Sequence, residues 1–317
     1  MRIAVVGAGA MGSVYAGLLA DAGNDVWVVD TWEAHVAAIR EHGLRVEGAS
    51  GERTVRVGAT TNAMDVGEVD LVVVATKAMD VRDAALAARP LAGDATIVLP
   101  IQNGLGSVEE AAAVFGSDAR GNDRVIVGVA GGFGASVTAP GAVHHAGMEL
   151  LRLGERRGPV TARLERIAEV WRAAGFTVRT YDDADVLVWE KLVCNVCFSA
   201  TCALLDVTIG EAMDDPRAWS VASRCAVEAY DVARTLRIDL PFDDPIEHVR
   251  AFGSRIPGAR PSLLLDLRAG RRTEIDVING AIPRAARTVS AEAPVNEAVT
   301  ALVKAMESRA RRTVEPG

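Results

Sequence analysis

The chain opens on MRIAVVGAGAMG, Met1 to Gly12, and no other stretch restricts its fold as much. Ile3, Ala4, Val5 and Val6 are apolar with no polar alternation, which suits a strand buried on both faces of a parallel sheet. Gly7, Gly9 and Gly12 follow at G-x-G-x-x-G spacing. Gly7 permits the tight turn, Gly9 leaves a pyrophosphate room to approach the backbone, and Gly12 lets the next helix pack close to the strand. That helix is expected from about Ala10 to Ala22, with its N-terminal amides directed at the phosphates. The expected cradle is therefore Gly7, Ala8, Gly9, Ala10, Met11 and Gly12. Val26 to Val29 form a second strand. Asp30 ends it roughly twenty residues after the glycines, where an acid holds ribose hydroxyls. A ligand-free βα turn does not require three glycines at this spacing, so the stretch reads as dinucleotide-binding.

The 317 residues favour two domains. The net charge of -8 is spread over interspersed acids and bases, with no basic patch or tail. That argues against nucleic acid and membrane as partners. The N-terminal apolar run is too short for a membrane span and lacks the longer core of a signal peptide, so a cytoplasmic location is expected. Cys194 and Cys197 are spaced C-x-x-C, but no second pair or nearby histidine completes a metal site. With Cys202 and Cys225 they read as buried free thiols, and no metal is expected.

The first half alternates strand and helix. A helix from about Thr31 to Glu41 stops at Gly43, and a hairpin is expected from Leu44–Glu47 and Thr54–Val57. Asp70 to Ala75 is a buried strand ending at Thr76 and Lys77, and Ala78 to Ala88 reads as a helix. Ala95 to Pro100 runs into Gln102, Asn103 and Gly104. Ligands of open α/β sheets bind beyond the carboxyl ends of the strands, so Thr76, Lys77, Gln102 and Asn103 are expected on the rim that holds the Gly7 loop. Val125 to Gly132 and Ala142 to Leu153 read as strands joined by a glycine-rich connection, with His144 and His145 structural or superficial. Val160 to Ala174 is a helical pattern and Thr177 to Thr180 a last strand. Near Asp182 strand signals fade and helices take over. They are expected at Ala184–Leu205, at Ile209–Leu236 (with Asp214 to Pro216 as an interruption), at Asp244–Phe252, Ser262–Arg268, Glu274–Ala286 and Pro294–Arg311. Pro283 would kink or shorten the Glu274 helix, and Gly253 to Pro261 reads as a loop. The fold class is an α/β Rossmann domain, residues 1–182, followed by an all-α C-terminal domain, residues 183–317, with a cleft between them.

On the helix ADVLVWEKLVCNVCFSATCALL, Lys191, Asn195 and Ser199 fall at i, i+4 and i+8 and share one stripe. Lys191 is either an exposed lysine of an amphipathic helix or a proton donor held in a cleft. In PSLLLDLRAGRRTEIDVING, Ser262 and Asp266 lie one turn apart. Thr273 and Asp276 have the spacing of a helix cap, which would place Glu274 in a first helical turn. Spacing leaves open whether Glu274 serves the helix or projects toward a substrate.

Taken together, GAGAMGS at Gly7–Ser13, ATK at Ala75–Lys77, QNG at Gln102–Gly104, WEKLVCN at Trp189–Asn195, PS at Pro261–Ser262 and TEIDVING at Thr273–Gly280 resemble the ketopantoate reductase (2-dehydropantoate 2-reductase) family over nearly the whole chain. The resemblance implies a Rossmann domain and a helical domain of the 6-phosphogluconate dehydrogenase C-terminal type. It implies reduction of a 2-oxo acid to a 2-hydroxy acid by a nicotinamide cofactor, on the route to pantothenate. By the same resemblance Lys191 is the catalytic lysine that protonates the ketone oxygen, and Glu274 places substrate and lysine. Asn195 and Ser262 hold the substrate, with Ser199 on the same stripe as a further substrate-binding candidate; Asn103 lies beside the nicotinamide, and Lys77 and the glycine loop contact the cofactor.

Two departures qualify this. Members that use NADPH usually carry a basic residue after the second strand, whereas this chain has Asp30-Thr31, which favours NAD(H) over the family's default NADP(H). Ser199 stands where many members have asparagine, which admits another substrate. The competing readings are an NAD-dependent dehydrogenase of another hydroxy acid or sugar acid, and a non-catalytic NAD-responsive sensor. A homodimer through the helical domain is a further expectation.

Overall fold

The computed structural model describes residues 1–117, 121, 123–132, 134–147 and 150–314, with side chains to residue 309. In chain order the elements are β1 (Arg2–Val6), α1 (Ala10–Asp21), β2 (Asp25–Val29), α2 (Glu33–His42), β3 (Leu44–Gly48), β4 (Arg53–Val55), β5 (Gly58–Thr60) and β6 (Val69–Val74). Next come α3 (Val81–Ala88), β7 (Ala92–Pro100), α4 (Ser107–Phe115), β8 (Ile126–Gly131), β9 (Gly134–Ala139), β10 (Ala142–Gly147), β11 (Leu150–Glu155), α5 (Ala162–Ala173) and β12 (Val178–Tyr181). The rest is helical: α6 (Ala184–Leu205), α7 (Ile209–Asp214), α8 (Pro216–Thr235), α9 (Pro245–Arg255), α10 (Ser262–Arg268), α11 (Ala281–Thr288) and α12 (Pro294–Val314). Two compact units result, Met1–Gln102 with Gly106–Leu187, and Asn103–Leu105 with Val188–Gly317. The division falls inside α6.

The first unit is built on a five-stranded sheet of order β5-β2-β1-β6-β7, all parallel. Strand order reverses beside β1, the place where doubly wound sheets bind ligands. β1 and β6 are apolar in nearly every residue because helices cover both faces of a parallel sheet. A bridge between Val98 and Val125 ties β7 to the β8 end of a three-stranded sheet, β12-β11-β8. A second sheet, β4-β3-β10-β9, packs against α1. Helix α1 is thus covered on two sides, and Gly12 through Leu19 are all buried. Gly17 is what admits the second sheet, since a Cβ there would lie 2.5 Å from the Val46 side chain.

The second unit packs α6 to α12 around a core that includes Trp189, Val193, Phe198, Cys225, Val249, Ile278 and Val303. Helix α6 is long and apolar enough to cross a membrane, yet 72% of that apolar window is buried within the protein. Its composition is that of a central core helix.

Several elements differ from the sequence expectation. Ala142–Leu153 is two strands, β10 and β11, in different sheets, and the glycine-rich connection before it contains β9. Helix α4 and the short edge strand β5 carry no signal read above. Gly253 lies inside α9, where a Cβ would meet Met213 at 2.4 Å and Phe198 at 2.9 Å. Residues 274–280 form successive turns, and the helix begins only at Ala281. Thr273 Oγ1 accepts from Ile275 N, and Asp276 pairs instead with Lys304 at 2.7 Å, so the cap spacing of Thr273 and Asp276 forms no cap. Pro283 sits in the first turn of α11, where its missing N–H costs nothing.

His35 and His145 are fully buried, and burial pushes both pKa values down. The unfolded chain therefore binds more protons than the folded one below the ordinary histidine value of about 6.5. Stability is fully present above that value and is lost as pH falls toward the folded pKa values. Urea midpoints at pH 7.5 and pH 5.5 are expected to show a less stable protein at the lower pH, with a smaller difference in His145→Gln.

Candidate functional site

The turn after β1 is fixed by contacts that only glycine tolerates. Gly7 has φ +93°, and a Cβ there would lie 2.6 Å from Thr76 Cγ2. At Gly12 a Cβ would lie 1.9 Å from the Gly7 carbonyl oxygen. At Gly9 a Cβ would meet nothing within 4 Å, so this side of the loop is open. Gly9 is also the N-cap of α1, and no side chain caps the helix. First-turn amides left uncapped beside open space suit an anion.

Around this loop the first unit brings together most of the residues expected there. Asp30 receives two backbone N–H groups, Ala8 N on Oδ2 at 2.5 Å and Trp32 N on Oδ1 at 2.8 Å. Each oxygen keeps a further lone pair for a ribose hydroxyl. Gln102 donates its amide to the carbonyls of Val74 (2.8 Å) and Thr76 (3.1 Å) as β6 leaves the sheet. Gln102 Oε1, Thr76 Oγ1 and Ser107 Oγ are buried with no hydrogen-bond partner. Buried polar atoms are rarely left so, and three of them beyond the ends of β6 and β7 are able to meet polar groups of a ligand. Lys77, half-buried, opens the 3-10 turn that follows β6. The open face at Gly9, the uncapped helix and these orphaned atoms fit a dinucleotide. Ser107 carries no signal in the sequence beyond lying shortly after Gly104.

Asn103, Gly104 and Leu105 group with the second unit. Leu105 N donates to Val277 O at 2.9 Å. Gly104 has φ +83°, and a Cβ there would lie 2.1 Å from that same Val277 oxygen. The Q-N-G glycine is therefore required by a close approach to the 274–280 turns.

In the second unit, Lys191 and Asn195 are half-buried on one stripe of α6, which enters the core at Ser199 (5% exposed). Lys191 lies between Trp189 and Leu192, both buried. Ser262 is exposed at the start of α10, and Asp266, one turn on, is buried and held by Arg271 at 2.9 Å. Glu274 is 7% exposed at the start of the turns that end at Gly280. Those turns are tied to the lysine helix by a buried side chain that sequence reading missed. Asn279 donates to Val196 O at 2.9 Å and to Asn296 Oδ1 at 3.0 Å. Asn296 in turn donates through its side chain to Cys225 O (3.0 Å) and Glu228 Oε2 (2.9 Å). Glu228, 4% exposed, also accepts from the backbone of Val295 and Asn296, capping α12. One polar network thus joins α6, the Glu274 turns, α8 and α12. Among the described residues no group of three or more His, Cys, Asp or Glu is placed to hold a metal.

A switch-point glycine loop with an acid at the end of β2, followed by a helical unit carrying a half-buried lysine, defines a nicotinamide-dependent oxidoreductase of the Rossmann class. Known families agree. Residues 3–158 match the family model described as ketopantoate reductase PanE/ApbA, and residues 183–307 match its C-terminal counterpart. A 2-dehydropantoate 2-reductase of Halobacterium salinarum is 33% identical over 305 residues, covering 96% of this chain and 98% of the relative. A ketopantoate reductase structure from Ralstonia eutropha superposes with TM-score 0.88 at 30% identity, covering 98% of this chain and 100% of that one. D-mandelate dehydrogenase, solved with NADH and anilino(oxo)acetate, superposes with TM-score 0.89 at 27% identity over 98% of this chain and 99% of that one. The chain belongs to the ketopantoate reductase family.

Truncating Asn296 to alanine leaves Glu228 and Asn279 short of partners in the core. A loss of about 2–4 kcal/mol of unfolding free energy is expected, measured by urea titration.

Proposed function

We propose that this protein reduces a 2-oxo acid to a 2-hydroxy acid with a nicotinamide dinucleotide, ketopantoate to pantoate being the reading best supported. The observation that carries it is that the family match does not stop at the cofactor unit but runs through residues 183–307, where Lys191, Asn195, Ser262 and Glu274 stand. In this reading residues 1–182 bind the cofactor and residues 183–317 bring the groups that act on substrate.

The bound cofactor supplies a hydride to the ketone carbon. The rest falls to the chain. As negative charge grows on the ketone oxygen, the Lys191 ammonium stabilises it and delivers a proton to it. Glu274 orients the lysine and the substrate. Asn195, Ser199 and Ser262 hold the substrate's polar groups, and Asn103 lies toward the reacting carbon. Gly7 to Gly12 take the pyrophosphate, with Thr76, Lys77, Gln102 and Gly104 completing the cofactor's surroundings. Asp30 accepts ribose hydroxyls and repels a 2′-phosphate, which favours NADH over NADPH. A second reading, another 2-hydroxy acid on the same scaffold, is favoured by Ser199 and by the likeness to D-mandelate dehydrogenase.

Oxidation of NADH and of NADPH is to be followed in parallel with ketopantoate and a panel of 2-oxo acids. The expected result is turnover with ketopantoate and at least a tenfold preference for NADH, on the order of one charge repulsion. Turnover of another 2-oxo acid alone moves the protein to the second reading, and a preference for NADPH overturns the role of Asp30. In Lys191→Ala, kcat is expected to fall by at least about 10²-fold while NADH binding, read by fluorescence, is retained. Undiminished turnover in that variant removes Lys191 from the chemistry.

A further inference from the structure

A chain of buried hydrogen bonds runs behind the glycine loop, through two residues not assigned above. Gly141 N, in the turn between β9 and β10, donates to His35 Nδ1 at 3.0 Å. An acceptor Nδ1 puts the ring proton on Nε2. His35 Nε2 lies 3.1 Å from Ser13 Oγ, so it donates there, and the Ser13 hydroxyl donates onward to Ala8 O at 2.8 Å. The direction of every bond is therefore fixed from one end. Ser13 and His35 are both 0% exposed, and the Trp32 ring stacks on the imidazole with centroids 4.9 Å apart.

The consequence lies on the loop's other side. A helical serine ordinarily bonds its own i−4 carbonyl, which here is Gly9 O. Gly9 O accepts the helical Ser13 N–H (3.0 Å), while the hydroxyl reaches one residue further back, to Ala8 O. Gly7 O is pressed against Gly12. The carbonyls of Gly7, Ala8 and Gly9 are thus all turned toward the protein. A carbonyl oxygen facing an anion repels it, whereas N–H groups attract it.

We propose that Ser13 and His35 are positioning residues for the dinucleotide: their relay holds the Ala8 carbonyl inward, so that the loop offers its N–H groups to the pyrophosphate. This rests on the reading of the loop as a nicotinamide-dinucleotide site. The relay reaches from α1 through α2 to the β9–β10 turn, so it also locks the loop to the second sheet. His35 acts as a neutral donor and touches neither cofactor nor substrate.

The test is NADH binding followed by fluorescence, with NADPH in parallel, on wild type, Ser13→Ala, His35→Leu, the double variant and His35→Gln. Ser13→Ala and His35→Leu are each expected to raise the NADH Kd on the order of tenfold, the weight of a lost buried hydrogen bond. The double variant is expected to bind no more weakly than His35→Leu, because both changes cut one chain. A glutamine side chain carries an amide donor that reaches near the Nε2 position, so His35→Gln is expected to recover binding to within about threefold of wild type. Thermal melts of the same samples identify variants that are simply unfolded, and Ser13→Ala, a one-atom truncation, remains the measure if His35→Leu does not fold. Wild-type affinity in folded Ser13→Ala overturns the proposal, as does His35→Gln binding as weakly as His35→Leu. A wild type that binds neither NADH nor NADPH overturns the dinucleotide reading itself, and with it the proposal.

Discussion

Helix α1 crosses β1 so closely that a single Cβ at Gly12 would overlap the Gly7 carbonyl, at 1.9 Å. Most of the first unit depends on that approach. It turns the chain sharply enough to expose the first amides of α1, and it sets the helix deep between two sheets. A helix in that position cannot be amphipathic, because it has no wet side over most of its length. Small residues at Gly12, Ser13, Ala16 and Gly17 reduce the distance to both neighbours. The shape of the loop and the packing of the unit are therefore linked: the glycines of one helix set the turn at the switch point through Gly12 and admit the second sheet through Gly17.

The same locality explains what could be read from the sequence. β1, its glycines and α1 follow one another directly along the chain, and β6 and the second half of β7 are apolar runs of the kind a doubly covered sheet uses. Helix α6 is long, and its bounds, Ala184 and Leu205, match the expected span. Illegible features are those set by distant partners. β5 has three residues and pairs only through β2. Ala142–Leu153 gives no strong break at the point where the chain passes from one sheet to another. Residues 274–280 have helical composition, yet Gly104 and Leu105 crowd them at Val277, and Val196 O claims the Asn279 side chain. Tertiary contact overrides propensity there. The shared stripe of Lys191, Asn195 and Ser199 on α6 follows from period alone and their proposed roles only from the family resemblance, whereas His35 meets Ser13 from 22 residues away and has no local signature.

In the second unit the ordering principle is polar. Glu228 is a carboxylate in a hydrophobic core, which is tolerable because three N–H groups of the α12 start converge on it. Asn296 and Asn279 relay that order to the α6 backbone beside Asn195. An apolar core would leave helices free to slide by a fraction of a turn. A network whose members each have a named partner does not, and it fixes the register of α6 against the turns that begin at Glu274.

The four cysteines lie in that same core, on α6 and α8, buried and joined by no disulfide. Burial pushes the Cys202 and Cys225 thiols up to about 12 and Cys197 well up as well. A thiol that is both protonated and covered does not meet an alkylating reagent until the helices part. Reagent uptake at these sulfurs is then gated by breathing of the core rather than by sulfur chemistry, and its rate follows the population of opened molecules. The protein thus carries a built-in gauge of how often its lysine helix comes loose, readable in the native state without denaturant.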